Sequence, residues 1–193
     1  EQQEEPGNVA ENDKIDAVRI AAFIEKHHEE LPRWENPSLS IRTLKVLLTE
    51  RTSRIKMKRQ LLNQQHDYSK MKGLGMDKKL FRLNDQLVKN IDRQIKVLEE
   101  QIEQLIEADK ELQQQAAFMR SVPGVGKVLC WTMLAKTNGF TILQDPRKMA
   151  CYSGVVPFAD RSGTSIRGKE KGSVYADKSL KSLLHLAAMS AIR

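Results

Sequence analysis

With 193 residues, the chain has room for one domain of ordinary size or two small ones. Aromatic residues make up 5% and charged residues 30%, a balance that disfavours a β-sandwich or barrel and favours long solvated helices. The formal charge of +7 points to a polyanionic partner, and no apolar run approaches the ~18 residues that a membrane-spanning helix needs.

The N-terminus is acidic and polar without a signal-peptide pattern, so a cytoplasmic protein without a membrane partner is expected. The first residue is not Met and the last helix stops while still amphipathic, which reads as an excerpt of a longer protein. Cys130 and Cys151 lie in apolar surroundings without metal-ligand spacing and read as core thiols of a reducing compartment.

In chain order, residues 1–11 read as an irregular polar lead-in. Asn12 is placed to cap a helix from Asp13 to about Glu30, with Ile15, Val18, Ala22 and Phe23 at helical spacing, and Pro32 ends it. Ser38 is a second N-cap, opening a long helix to about Lys72 with Ile41, Leu44, Leu48, Ile55 and Leu62 on one side. This helix is lopsided in charge: Arg42, Lys45, Arg51, Arg54, Lys56, Lys58 and Arg59 are set against Glu50 alone, either as a solvated face or as a nucleic-acid groove. Gly73 and Gly75 break it. A second long helix follows from about Asp77 to Gln114, with Leu87, Ile91, Ile95, Leu98, Ile102, Leu105 and Leu112 stepping by three and four. The two form an antiparallel hairpin or two halves of a dimerising coiled coil.

A short helix over Ala116–Arg120 leads into Pro123-Gly124-Val125-Gly126, and an amphipathic helix then runs to about Asn138-Gly139. Helix, hydrophobic-Pro-Gly-hydrophobic-Gly, helix is the helix-hairpin-helix pattern. Gly124 and Gly126 let a nucleic-acid strand approach the backbone, the free N–H groups at the next helix start donate to a phosphate, and Lys127 adds charge. A dinucleotide fingerprint fails because position 129 is Leu, and a P-loop fails because Gly126-Lys127 is followed by Val128.

Asp145-Pro146-Arg147 opens a short helix through Tyr152; a loop covers 153–172, and a last helix starts near Asp177. In the loop, Arg161, Arg167, Lys169 and Lys171 surround Ser162 and Ser165. A serine nucleophile needs an activating base or metal and cations to hold phosphorane charge; the cations are visible and the activator is not. The four histidines, His27, His28, His66 and His185, read as surface or packing residues.

The segments Pro123–Gly126, Met149–Pro157 and Ser162–Lys169, in this spacing, resemble the C-terminal transposase domain of the IS-one-ten insertion-sequence family, relatives of the Piv DNA invertases. The resemblance runs from about Met119 to the end, and the long helices resemble that family's coiled-coil connector. Asn12-Asp13-Lys14-Ile15-Asp16-Ala17 resembles the Asp-x-x-Asp-Ala segment closing the family's N-terminal RuvC-like domain, whose four acidic residues bind magnesium. Asp13 and Asp16 then share one helix face, an arrangement suited to hard cations.

The resemblance implies a mainly α fold: long antiparallel coiled-coil helices followed by a small helical domain with a helix-hairpin-helix motif. It divides the chain into a RuvC-like remnant (1–35), a coiled-coil connector (36–116) and a transposase domain (117–193). It implies a DNA recombinase that excises and inserts a mobile element, guided by a structured bridge RNA, with homo-oligomerisation through the coiled coil. Ser162 is the implied nucleophile, with Ser165 a substitute, and Asp13 and Asp16 belong to the Mg2+ cluster. Alone, this segment is expected to bind nucleic acid without catalysing. A non-catalytic nucleic-acid-binding module and a coiled-coil assembly element are the alternatives.

Overall fold

The computed structural model describes residues 7–31, 36–71, 78–157, 161–162, 166–167 and 172–192, with side chains from Asp13 onward outside the two strands. The fold is mainly α, as expected: α1 (Gly7–His27), α2 (Leu39–Lys70), α3 (Lys78–Ala108), α4 (Lys110–Arg120), α5 (Lys127–Lys136), α6 (Pro146–Tyr152) and α7 (Lys178–Ala191), with a two-residue antiparallel pair, β1 (Arg161–Ser162) and β2 (Ile166–Arg167), before α7. No helix among the described residues is long and apolar enough to cross a membrane. Two compact units divide the chain, residues 1–36 and 37–193.

In the first unit, α1 starts at Gly7 instead of Asp13. Residues 8–11 include the good helix formers Ala10 and Glu11, so the helix extends upstream and Asn12 becomes interior rather than a cap. Ile15, Val18, Ile20, Phe23 and Ile24 remain exposed on it.

In the second unit, Ser38 caps α2 as expected, its side chain accepting from the Ile41 amide at 3.3 Å. Helices α2 and α3 run antiparallel: Arg51 meets Glu99, Lys58 meets Asp92 and Gln65 meets Asp85. Each step of seven residues along α2 is thus matched by seven back along α3, the repeat that keeps one helix face on its partner. Where a single helix is expected from Asp77 to Gln114, the chain breaks at Asp109, whose extended backbone and carboxylate, accepting from the amides of Glu111 and Leu112, cap a separate α4.

That break folds α4 and α5 back onto the base of the α2–α3 hairpin. Ile41, Leu44, Ile102, Ile106, Leu112, Ala116, Cys130, Trp131, Leu134 and Ala135 form one buried cluster. The hairpin base and the C-terminal helices therefore share a core. A second cluster, Leu129, Met133 and Leu180, fixes α7 against α5. Burying a side chain such as Leu134 or Leu180 contributes about 2 kcal/mol each. Helix α5 buries Leu129, Cys130, Trp131, Met133, Leu134 and Ala135, and so is the element on which the unit is assembled.

Helix α6 opens on Asp145 and closes at Tyr152, and α7 opens on the cap Asp177, both as expected. The loop expected over 153–172 contains the β1–β2 pair, whose backbone register sets Arg161 opposite Arg167 and Ser162 opposite Ile166.

Candidate nucleic-acid interface and serine loop

The turn between α4 and α5 is fixed by its own residues. The Val125 amide donates to the Val122 carbonyl at 3.1 Å across Pro123 and Gly124, and Gly124 has φ +85°, the arrangement of a type II turn. A Cβ on Gly124 would overlap the Ala187 carbonyl oxygen, so α7 fills the space beside it. Gly126 differs: a Cβ there would meet nothing within 4 Å. It is the N-cap of α5 and offers no side-chain cap; the Cys130 amide is bonded to its carbonyl, and the amides of the first turn before it lack intrahelical partners. Partial positive charge thus faces open space at Gly126, next to Lys127, whose side chain is 66% exposed.

Glu103 of α3 holds this turn from beneath, a role that sequence reasoning misses. Its carboxylate is 18% exposed, accepts from Arg120 Nη2 at 2.8 and 3.0 Å and from Trp131 Nε1 at 3.1 Å, and lies 3.6 Å from Lys127 Nζ. One acid therefore binds the end of α4 and the start of α5 to the hairpin. Arg51 stacks 5.8 Å above the Trp131 ring while bonded to Glu99. Burial pushes the Cys130 thiol above its ordinary 9.0, against the opposing influence of Arg120. Nothing in the sequence separates Glu103 from the other acids of α3; only the fold-back at Asp109 gives it partners.

The serine loop is closed at its base. The Asp177 amide donates to the Tyr152 carbonyl at 2.9 Å, and a Cβ on Gly154 would overlap that of Ala176. Asp177 also accepts from the Ser179 and Leu180 amides at 3.0 and 2.9 Å and pairs with Lys136. Partial burial alone would raise its carboxyl pKa; the bonds from Lys136, Ser179 and Leu180 outweigh this and hold it at about 2. Residues on both sides of the loop thus meet at the start of α7.

The expected site residues fall into three places. Gly124, Gly126 and Lys127 share the α4–α5 turn. Arg161, Ser162 and Arg167 share the strand pair; Lys169 and Ser165 lie outside the described residues. The turn contacts α7 at Ala187 and the loop base contacts it at Asp177, a separation of about 15 Å at ~1.5 Å per residue.

Asp13 and Asp16 lie in the first unit, both exposed, on the interior of α1. Asp16 is 3.7 Å from Arg19. Among the described residues no group of three or more potential ligands gathers to hold a metal. Two exposed carboxylates, one shared with a guanidinium, do not make a magnesium site by themselves.

The chain is thus a long helical hairpin with a compact helical cluster folded on its base, carrying an open helix start and a loop tied at its base to α7. Residues 116–193 match the family described as Transposase IS116/IS110/IS902 family, which bears out the resemblance read from the sequence. The chain is also 28% identical over 177 residues to proteins named Pilin gene-inverting protein from Moraxella bovis and Moraxella lacunata, covering 92% of this chain and 52% of each relative. It spans about half the length of the curated relatives it matches.

Proposed function

We propose that this chain is part of a DNA recombinase of the transposase and invertase kind, with Ser162 as its nucleophile. The match of residues 116–193 to the transposase family carries this reading. The relatives named for gene inversion support the same class of reaction. In the proposed step Ser162 Oγ bonds to a DNA phosphorus, the bond to the leaving deoxyribose oxygen breaks, and the proton lost by the serine balances the one gained by that oxygen. The phosphodiester linkage to serine keeps the bond energy for rejoining.

Arg161, Arg167 and Lys169 would hold the phosphate's charge, and Gly126 and Lys127 would grip the backbone nearby. Gly124 would shape that turn. Asp13 and Asp16 are proposed as two oxygen ligands of a Mg2+ cluster in the whole protein. A structured guide RNA belongs to the same proposal, as does homo-oligomerisation through the long helices. Exposed Leu62, Leu83 and Leu87 on the hairpin support the latter. The segment alone is proposed to bind nucleic acid without catalysis.

The test is strand transfer by the full-length protein carrying Ser162→Ala. Lost transfer with retained DNA binding supports the reading. Transfer at the wild-type rate sinks it and leaves a nucleic-acid-binding module or an assembly element.

A further inference from the structure

The cations of α2 divide into two sets. Arg51 is bonded to Glu99, Lys58 to Asp92 and Arg54 to Glu50. Arg42, Lys56, Arg59 and Lys70 are exposed and have no acidic partner among the described residues, and Lys45 donates only to the neutral Asn138 side chain. Arg42, Lys56 and Lys70 lie at multiples of seven residues from one another, and Lys45 and Arg59 follow at the same spacing three residues on. Because the α2–α3 pairing itself repeats every seven residues, this set keeps a constant angle to α3 and forms one straight stripe.

Between the cations stand Thr49, Thr52, Asn63 and His66, all exposed and none acidic. Thr49 and Thr52 turn their hydroxyls back onto the Lys45 and Leu48 carbonyls, leaving that stretch short and flat. The acids of α3 that meet α2, Asp85, Asp92 and Glu99, are already engaged by Gln65, Lys58 and Arg51. Of the acids on α2 itself, Glu50 is tied to Arg54, leaving Asp67 beside the stripe. From Arg42 to Lys70 the stripe is about 42 Å long at ~1.5 Å per residue, the length of about 12 steps of duplex.

We propose that this face of α2 is a second nucleic-acid surface, which binds the phosphodiester backbone of a duplex along the helix. Charge complementarity assigns the occupant: a long, acid-poor row of cations suits a uniform row of phosphates. None of its residues belongs to the α4–α5 turn or to the strand pair that carries Ser162, so it stands whether or not Ser162 is the nucleophile.

The experiment measures affinity of the full chain for a duplex DNA of about 20 base pairs and the same duplex as RNA, by fluorescence anisotropy across a salt series. Lys56→Gln, Arg59→Gln and Lys70→Gln are combined in one variant. A scattered control changes three exposed lysines elsewhere, Lys14, Lys26 and Lys110, to Gln. The stripe variant is expected to lower the slope of log affinity against log salt by about 2.7, from ~0.9 per phosphate contact, with unchanged helix content. The control is expected to lower it by less than about 1. Loss on DNA alone, RNA alone or both supports the surface and names its occupant. An unchanged slope, or equal loss in the control, overturns it.

Discussion

Replacing Asp177 with Ala tests how the serine loop is anchored. The carboxylate caps α7, pairs with Lys136 from α5, and sits where the two sides of the loop meet. Its pKa of about 2 lies well below the ordinary 3.8. At ~1.36 kcal/mol per pKa unit the difference sets an upper bound of about 2.5 kcal/mol, which solvent screening reduces and which already contains the roughly 1 kcal/mol of the cap. The sign follows from the direction: a depressed carboxylate pKa stabilises fully above 3.8, and the contribution is lost as pH falls toward 2. Urea unfolding followed by circular dichroism should therefore show the variant weaker by about 1 to 2 kcal/mol at about pH 7. The gap should narrow as pH drops through that window. Asp177→Asn, which keeps a cap and loses the ion pair, should fall between. A gap of equal size at about pH 7 and about pH 3, or none at neutral pH, would refute the electrostatic anchoring.

The two glycines of the turn should separate in their effects. Gly124→Ala places a Cβ against the Ala187 carbonyl and should cost about 2 kcal/mol or more in thermal melts, whereas Gly126→Ala should cost under about 0.5 kcal/mol while weakening DNA binding. Equal stability of the two variants would contradict the packing of Gly124 on α7. Glu103→Gln leaves Arg120 without its carboxylate and should cost about 2 to 3 kcal/mol in urea unfolding; a neutral result would show that the clamp is dispensable.

The elements most legible in the sequence are those with a local signature. Ser38, Asp145 and Asp177 each precede a helix, and each caps it through a bond to an amide two or three residues on. The break at Asp109 is hidden because the apolar steps continue across it to Leu112; the cap competes locally with helix continuation, and packing of α4 on the core decides in its favour. The start of α1 lies earlier than the sequence suggests because the polar residues 1–11 read as an irregular lead-in, although Gly7 is already helical.

At the candidate site the sequence reveals residue types but not their neighbours. Gly124 reads as an opening for a ligand, yet its free side is occupied by Ala187 of α7, far along the chain. Glu103 and Trp131 are long-range partners that no spacing rule connects. Periodicity does reveal the basic imbalance of α2, and only the pairing with α3 divides it into neutralised and free cations.

The most direct measurement is the site of any covalent protein–DNA link. Full-length protein is incubated with its DNA ends and magnesium, trapped, digested and mapped by mass spectrometry. The nucleophile assignment predicts a nucleotide adduct on the peptide containing Ser162 and its loss in Ser162→Ala with DNA binding retained. An adduct on another residue, or one that persists in Ser162→Ala, would contradict it.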